Sequence, residues 1–202
     1  MRRLTLSLIC LVCLTTAAFA ADELLPAARV DSSVAAVHTE RGSFYILLHD
    51  EVNPATVANF INLAEKDFYD GIGFHRVVPG HVIQAGCPLW DTEMAGTGGP
   101  GYTIEFESAD LSHLEGAVGM ARAPQPDSAG SQFYVCLAPR FHLDGDYVVF
   151  GSVVAGMEVV HAVEAGTIIE DVELLSWTEF KERAQNREVE DPLGIRPLRA
   201  DE

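Results

Sequence analysis

Alternation and helical stripes divide the chain into short elements. Residues 34–40 and 43–48 are two β-prone runs around Arg41-Gly42, which predicts a hairpin. Asn53-Pro54 then opens a helix, because Asn is a favoured cap and Pro suits the first helical position. Val57, Phe60, Ile61 and Ala64 follow at helical spacing as one apolar stripe. Residues 74–78 and 81–85 read as short strands around Pro79-Gly80, and residues 91–101 are turn-rich. Residues 102–107 alternate as a strand does, 116–121 form a small-residue strand, and 124–130 a polar loop. Residues 131–137 and 147–154 are strand-like again. Residues 156–164 predict a second helix, with Met157, Val160 and Val163 on one face, and 173–176 a last strand. Many short strands, two helices and Gly-rich corners predict a closed or nearly closed antiparallel barrel with helices over its ends.

From Trp177 onward the pattern gives way to charge, with Pro192 and Pro197, and residues 178–185 carry one short helix before a loose tail. The chain therefore divides into residues 1–20, a leader over 21–33, one domain over 34–176 and a charged extension over 177–202. Arg2 and Arg3, a short apolar run over residues 4–14 and the A-x-A site Ala18-Phe19-Ala20 mark the first segment as a secretory signal. That run is too short to span a bilayer, and no second run approaches that length, so no membrane anchor is expected.

Hydrophobic residues make up 48% of the 202 and charged ones 21%, which supports a packed core. The formal charge of -17, from 13 Lys+Arg against 30 Asp+Glu, excludes nucleic acid or an anionic membrane as main partner, since both need a basic footprint. Cys10 and Cys13 fall in the signal. Export would permit Cys87 and Cys136 to pair, but two buried free thiols are the simpler reading.

Three chemistries fail on inspection. Residues 96–101, Gly-Thr-Gly-Gly-Pro-Gly, match G-x-G-x-x-G, yet polar Asp91-Thr92-Glu93 precedes them and no helix follows; Pro100 also removes a donor that a phosphate cradle needs. The seven His include no H-x-x-x-H pair, so no metal is expected, and His38, His49, His113 and His161 read as surface or strand-end residues. Ser131 lacks a nucleophile elbow, and His142 is a base by type only, which leaves hydrolysis unsupported.

What recurs is a non-nucleophilic inventory. Phe74-His75-Arg76-Val77-Val78-Pro79-Gly80 places an obligate cation, Arg76, in an otherwise apolar alternating segment. Burying a guanidinium unpaired is costly, so the segment fits either a site with something to bind or an exposed Arg on a Pro-Gly hairpin. Arg76, Gln84 and Gln132 hold donors for backbone carbonyls, and Val82, Tyr134 and Leu143 offer an apolar pocket. Together they suit a peptide.

These residues carry a resemblance to a known family. The 74–80 motif is followed by Gln84-Ala85-Gly86, Gly96-Thr97-Gly98-Gly99, Gly119-Met120-Ala121-Arg122-Ala123, Gly130-Ser131-Gln132-Phe133-Tyr134 and Val148-Val149-Phe150-Gly151. In this order, over about residues 34–170, the chain resembles the cyclophilins, the cyclosporin-binding type of peptidyl-prolyl cis-trans isomerase; with its signal it resembles an exported, bacterial-like member. The resemblance implies a mainly β fold, a closed eight-stranded antiparallel barrel capped by two α-helices, with the groove on its outer face. It implies that Arg76 is catalytic with Gln84, and that Gln84 and Gln132 orient the substrate. Val82, Tyr134 and Leu143 would line the proline pocket, the backbone of Ala121, Arg122 and Ala123 would pair with an extended peptide, and Gly96 would border the groove. No cofactor is implied. The expected partners are proline-containing unfolded or partly folded polypeptides, and the protein is expected to be a monomer, exported to the periplasm in the first instance or else secreted.

Several positions depart from the family. His81 stands where Phe is usual on the pocket wall, Val82 replaces a frequent Met, Tyr134 a common Phe, Tyr147 a common His and Arg122 a common Asn that acts largely through its backbone. His142 replaces the Trp of cyclosporin-sensitive members, so weak cyclosporin binding is expected. With an unperturbed pKa of ~6.5, His81 predicts activity falling below about pH 6, and a His81–His142 pair could take adventitious zinc. Two alternatives stay open: a catalytically weak peptide-binding module or chaperone, and a scaffold that recruits a partner through its acidic surface and tail.

Overall fold

The computed structural model describes residues 33–107 and 110–186. The expected signal, the leader through residue 32 and the tail beyond residue 186 lie outside the described residues.

β1 (Ser33–Thr39) and β2 (Gly42–Leu48) form the expected hairpin, with Val37 opposite Phe44. Gly42, at φ 114°, supplies the left-handed backbone of its turn. α1 (Pro54–Ala64) follows, then β3 (Arg76–Val78), β4 (Val82–Ala85), β5 (Ala117–Met120), β6 (Phe133–Cys136) and β7 (Val149–Ala155). A short α2 (Met157–Ala162), β8 (Ile169–Ser176) and α3 (Trp177–Gln185) complete the described elements. The eight strands form one antiparallel sheet in the order β3-β4-β6-β5-β7-β2-β1-β8.

The sheet is an open half-barrel, which corrects the closed barrel expected from the sequence. Its margins β3 and β8 do not ladder together. Among the described residues the seam is crossed by an isolated bridge, Gly73 to Ile168, and by backbone bonds beside it such as Phe74 N–H to Thr167 O (2.9 Å), not by a strand ladder. β3 is three residues long and is preceded by turns, so it offers little edge to pair. Gly73 also lies directly beneath the Trp90 indole, where a Cβ would come within 2.5 Å of the ring.

Residues 102–107 do not form the expected strand. Ile104 bridges Ala129, and beyond it the segment turns to other partners. Asp127 Oδ1 accepts from Phe106 N–H, and the Glu107 carboxylate accepts from the amides of Ala55 (2.9 Å) and Thr56 (2.6 Å) at the start of α1. Glu107 thus does the capping expected of Asn53, whose side-chain amide instead turns inward to donate to Val149 O at 2.8 Å. An anion at a helix N-terminus is favoured by both the free amides and the dipole.

The main core gathers Phe44, Ile46, Phe60, Tyr69, Phe133 and Phe150 between the sheet and α1. Phe60 meets Phe133 edge-on at 5.7 Å and Phe150 at 5.3 Å. A second apolar cluster lies on the sheet's other face, where Tyr45 and Leu175 receive Phe180 of α3. That helix begins with a capping box between Ser176 and Glu179. The first turns of the charged extension are therefore docked on the sheet.

Candidate active site

Strand register lines up the site. Arg76 of β3 faces Gln84 of β4, Gln84 faces Tyr134 of β6, and Tyr134 faces Gly119 of β5. Directly opposed residues share a sheet face, so one row crosses four strands. Gln132, two residues before Tyr134, points the same way.

Along this row runs a chain of hydrogen bonds. Arg76 Nη1 donates to Gln84 Oε1 at a stretched 3.4 Å, Gln84 Nε2 to Gln132 Oε1 at 2.9 Å, and Gln132 Nε2 to the carbonyls of Gly96 (2.9 Å) and Gly98 (2.8 Å). Arg76 is exposed, on a margin strand, so its charge is not buried in an apolar layer. Its long contact to Gln84 leaves the fork directed outward and free to meet a ligand acceptor. The loop carrying Gly96 is anchored below by Cys87, whose Sγ accepts from the amides of Gly96 (3.2 Å) and Gly98 (3.3 Å). Cys87 and Cys136 are both buried and free.

Beside the polar row lies an apolar hollow. Val82, Ala117, Tyr134, Cys136 and Val149 form a buried cluster, and Ala121, Leu143 and Tyr147 pack against it from the rim. Of the expected pocket residues, the structure thus brings Val82, Tyr134, Leu143 and Tyr147 together. A cavity of about 630 Å³ adjoins it, lined by Gln84, Gly98, Tyr102, Ala121, Arg122 and Gln132.

His81 and His142 stand at the hollow's edge with ring centroids 5.9 Å apart. Burial first, then Arg140, Arg76 and His142, push the His81 pKa below its ordinary value. The expected pairing strip is only partly free. The Ala121 amide is taken by Gln132 O, and the Ala123 carbonyl already receives Arg122 Nη1. The Arg122 side chain is engaged within the protein itself. It donates to Asp146 O from Nε and Nη2 and to Pro124 O from Nη1, and lies over the Tyr147 ring at 4.8 Å.

Two histidines read from sequence as surface or strand-end residues are buried: His49 does stand at a strand end, directly after β2, whereas His113 lies in no strand. His49 is 3% exposed and bonds Ser152 Oγ at 2.9 Å; burial lowers its pKa to about 4 despite Asp50. His113 is 0% exposed, with Nε2 2.8 Å from the Tyr134 hydroxyl and Nδ1 2.7 Å from Asp144 Oδ1. Sequence reasoning gave His113 no part in the site and did not single out Asp144, because the contacts that join His113 to Tyr134 and to Asp144 span 21 and 31 residues.

The arrangement has an exposed guanidinium, amide groups that accept and donate, and an apolar seat for a ring; the thiol in that seat, Cys136, is fully buried and burial pushes its pKa up to about 12, so it supplies no nucleophile. The arrangement can hold a peptide and polarise one of its atoms.

Comparison with known proteins agrees. Residues 34–180 match the family model described as cyclophilin type peptidyl-prolyl cis-trans isomerase/CLD. The chain is 46% identical over 127 residues to peptidyl-prolyl cis-trans isomerase B of Bacillus subtilis, covering 62% of this chain and 85% of that one. It is 41% identical over 144 residues to a peptidyl-prolyl cis-trans isomerase of Synechococcus elongatus, covering 70% and 96%. Among solved structures, a cyclophilin type peptidyl-prolyl cis-trans isomerase of Cryptosporidium parvum, determined in the presence of the dipeptide Ala-Pro, matches with a TM-score of 0.64 at 27% identity, covering 71% of this chain and 99% of that one.

Proposed function

Because the chain belongs to the cyclophilin-type peptidyl-prolyl cis-trans isomerases, we propose that it turns X-Pro bonds in exported polypeptides, with Arg76 as the catalytic cation. The chain is a peptidyl-prolyl cis-trans isomerase by its family.

The barrier is the amide's partial double bond, about 18–20 kcal/mol, so that unaided X-Pro rotation takes roughly tens to hundreds of seconds. Midway, conjugation is broken and the proline nitrogen carries a localised lone pair. A guanidinium aimed at that nitrogen binds the twisted amide better than either planar form, which lowers the barrier with no covalent step. The outward fork of Arg76 at the head of the Gln84–Gln132 chain is the observation that carries this reading. Gln84 and Gln132 orient the peptide, with Gly96 and the 121–123 strip beside it. The hollow of Val82, Tyr134, Leu143 and Tyr147 grips the ring while the preceding carbonyl swings. His81 and His142 border it.

Export rests on the signal residues Arg2, Arg3 and Ala18-Phe19-Ala20, and a periplasmic monomer acting on partly folded secreted chains is the setting they favour. Among the described residues no helix is long and apolar enough to cross a membrane. With His142 exposed at the rim in place of an indole, cyclosporin is expected to bind weakly.

Isomerisation of a proline tetrapeptide by wild type and Arg76→Ala tests the reading. We expect kcat/KM to fall about 100-fold or more, on the scale of losing one transition-state donor, with the fold intact. Equal rates from the two folded proteins would overturn it.

A further inference from the structure

We propose that His113 and Asp144 are positioning residues for the isomerisation: they seat the Tyr134 ring as the floor of the proline pocket and turn its hydroxyl away from the substrate. The inference rests on the reading above that Tyr134 lines that pocket.

A phenol in an apolar hollow needs a partner, since a buried unpaired hydroxyl is costly. Tyr134 is 5% exposed and finds that partner in His113 Nε2 at 2.8 Å. The direction of the bond follows from the next link. Asp144 Oδ1 accepts from the His113 backbone amide at 2.8 Å and lies 2.7 Å from ring Nδ1. An ionised carboxylate only accepts, so Nδ1 carries the ring proton and Nε2 is bare. The Tyr134 O–H must then donate to Nε2, and its proton points out of the pocket.

The charge states hold this polarity. Partial burial works against the Asp144 charge, but bonds from the His113 amide, the His113 ring and Ser112 outweigh it and keep the carboxyl below its usual range. Burial lowers His113 in spite of Asp144, so its ring is neutral near pH 7, and burial raises the Tyr134 phenol.

Packing fixes the ring from the other directions. Gly119 lies opposite, where a Cβ would sit 2.2 Å from Cζ, and Tyr147 meets the ring edge-on at 6.2 Å. Asp144 directly follows Leu143 in the chain, so the same bonds tie the pocket's wall to its floor. What faces a proline is then ring carbon, which is how a tyrosine can serve in an apolar seat.

Two measurements test the inference. Nitrogen NMR of the His113 ring should report the Nδ1–H tautomer, and an Nε2–H ring would overturn the assignment. A double-mutant cycle of His113→Gln and Tyr134→Phe supplies the kinetic test. We expect His113→Gln to raise KM for a proline tetrapeptide about fivefold with Tyr134 present and less than about twofold with Phe in its place, with kcat changing little. A merely structural role would lower the active fraction, hence apparent kcat, equally in both backgrounds with KM unmoved; that result would overturn the proposal. Should His113→Gln not fold, Asp144→Asn takes its place in the cycle, with the same expected KM split. Arg76→Ala run alongside separates the failures. Its equality with wild type would sink the isomerase reading of the groove, whereas an additive cycle beside an inactive Arg76→Ala sinks this inference alone.

Discussion

Gly119 and Tyr134 occupy one shared space across β5 and β6: a Cβ on Gly119 would lie 2.2 Å from Cζ and 2.3 Å from the hydroxyl oxygen of Tyr134. The ring cannot retreat toward His113, because its hydroxyl already stands in contact with Nε2 at 2.8 Å. Gly119→Ala should therefore cost about 1–3 kcal/mol through overpacking and push the ring into the proline seat. Denaturant unfolding and tetrapeptide kinetics of the variant read the two effects. Wild-type values in both would show that the ring has room to move.

Glu107 caps α1 from 52 residues away in sequence. Glu107→Ala removes both acceptors from the Ala55 and Thr56 amides and should lower stability by about 1 kcal/mol. The urea midpoint should fall with an unchanged slope, and activity per folded molecule should hold. An unshifted midpoint would mean that water caps the helix as well.

His49 makes stability depend on pH. Its folded pKa is near 4 and its unfolded value is about 6.5, so the unfolded chain binds the proton more readily between those limits. The contribution, about 3 kcal/mol, is complete above about pH 6.5 and is lost as pH falls toward the folded value. Unfolding free energies at neutral pH and near pH 4.5 should differ accordingly. His49→Gln should flatten that part of the profile, and a variant as acid-sensitive as wild type would contradict the assignment.

His81 governs a different pH effect, on rate. Its imidazole is held below its ordinary value by burial and by Arg140, Arg76 and His142. The fall expected from the sequence below about pH 6 therefore moves to more acidic conditions. kcat/KM should stay level from pH 8 down through about 6.5 and decline only well below it, as a charge forms beside Arg76. His81→Phe should abolish the decline. If the decline survives in that variant, another group is responsible.

Much of this was visible in the sequence, and the omissions share a cause. Local period placed β1, β2, α1 and β5 to β7, because each buries one face against a partner close to it in the fold. The row Arg76–Gln84–Gln132 and the hollow around Tyr134 were readable as residue types, and the motif order supplied their juxtaposition. What escaped depends on distant partners. Residues 102–107 alternate like a strand, yet Glu107 and Phe106 bond α1 and Asp127 instead of a neighbouring ladder. His113 is hidden because its burial comes from Tyr134 and Asp144, both more than 20 residues along the chain. The open seam could not be read either, since closure depends on whether the first and last margins meet, and no local pattern encodes that.

The unclosed sheet has a consequence for how work reaches the protein. Arg76 sits on a rim strand and is exposed. A long polypeptide need not be threaded by an end or swallowed whole. It can be met sideways at any proline along its length, held for one half-turn and let go, with both flanks still trailing in water.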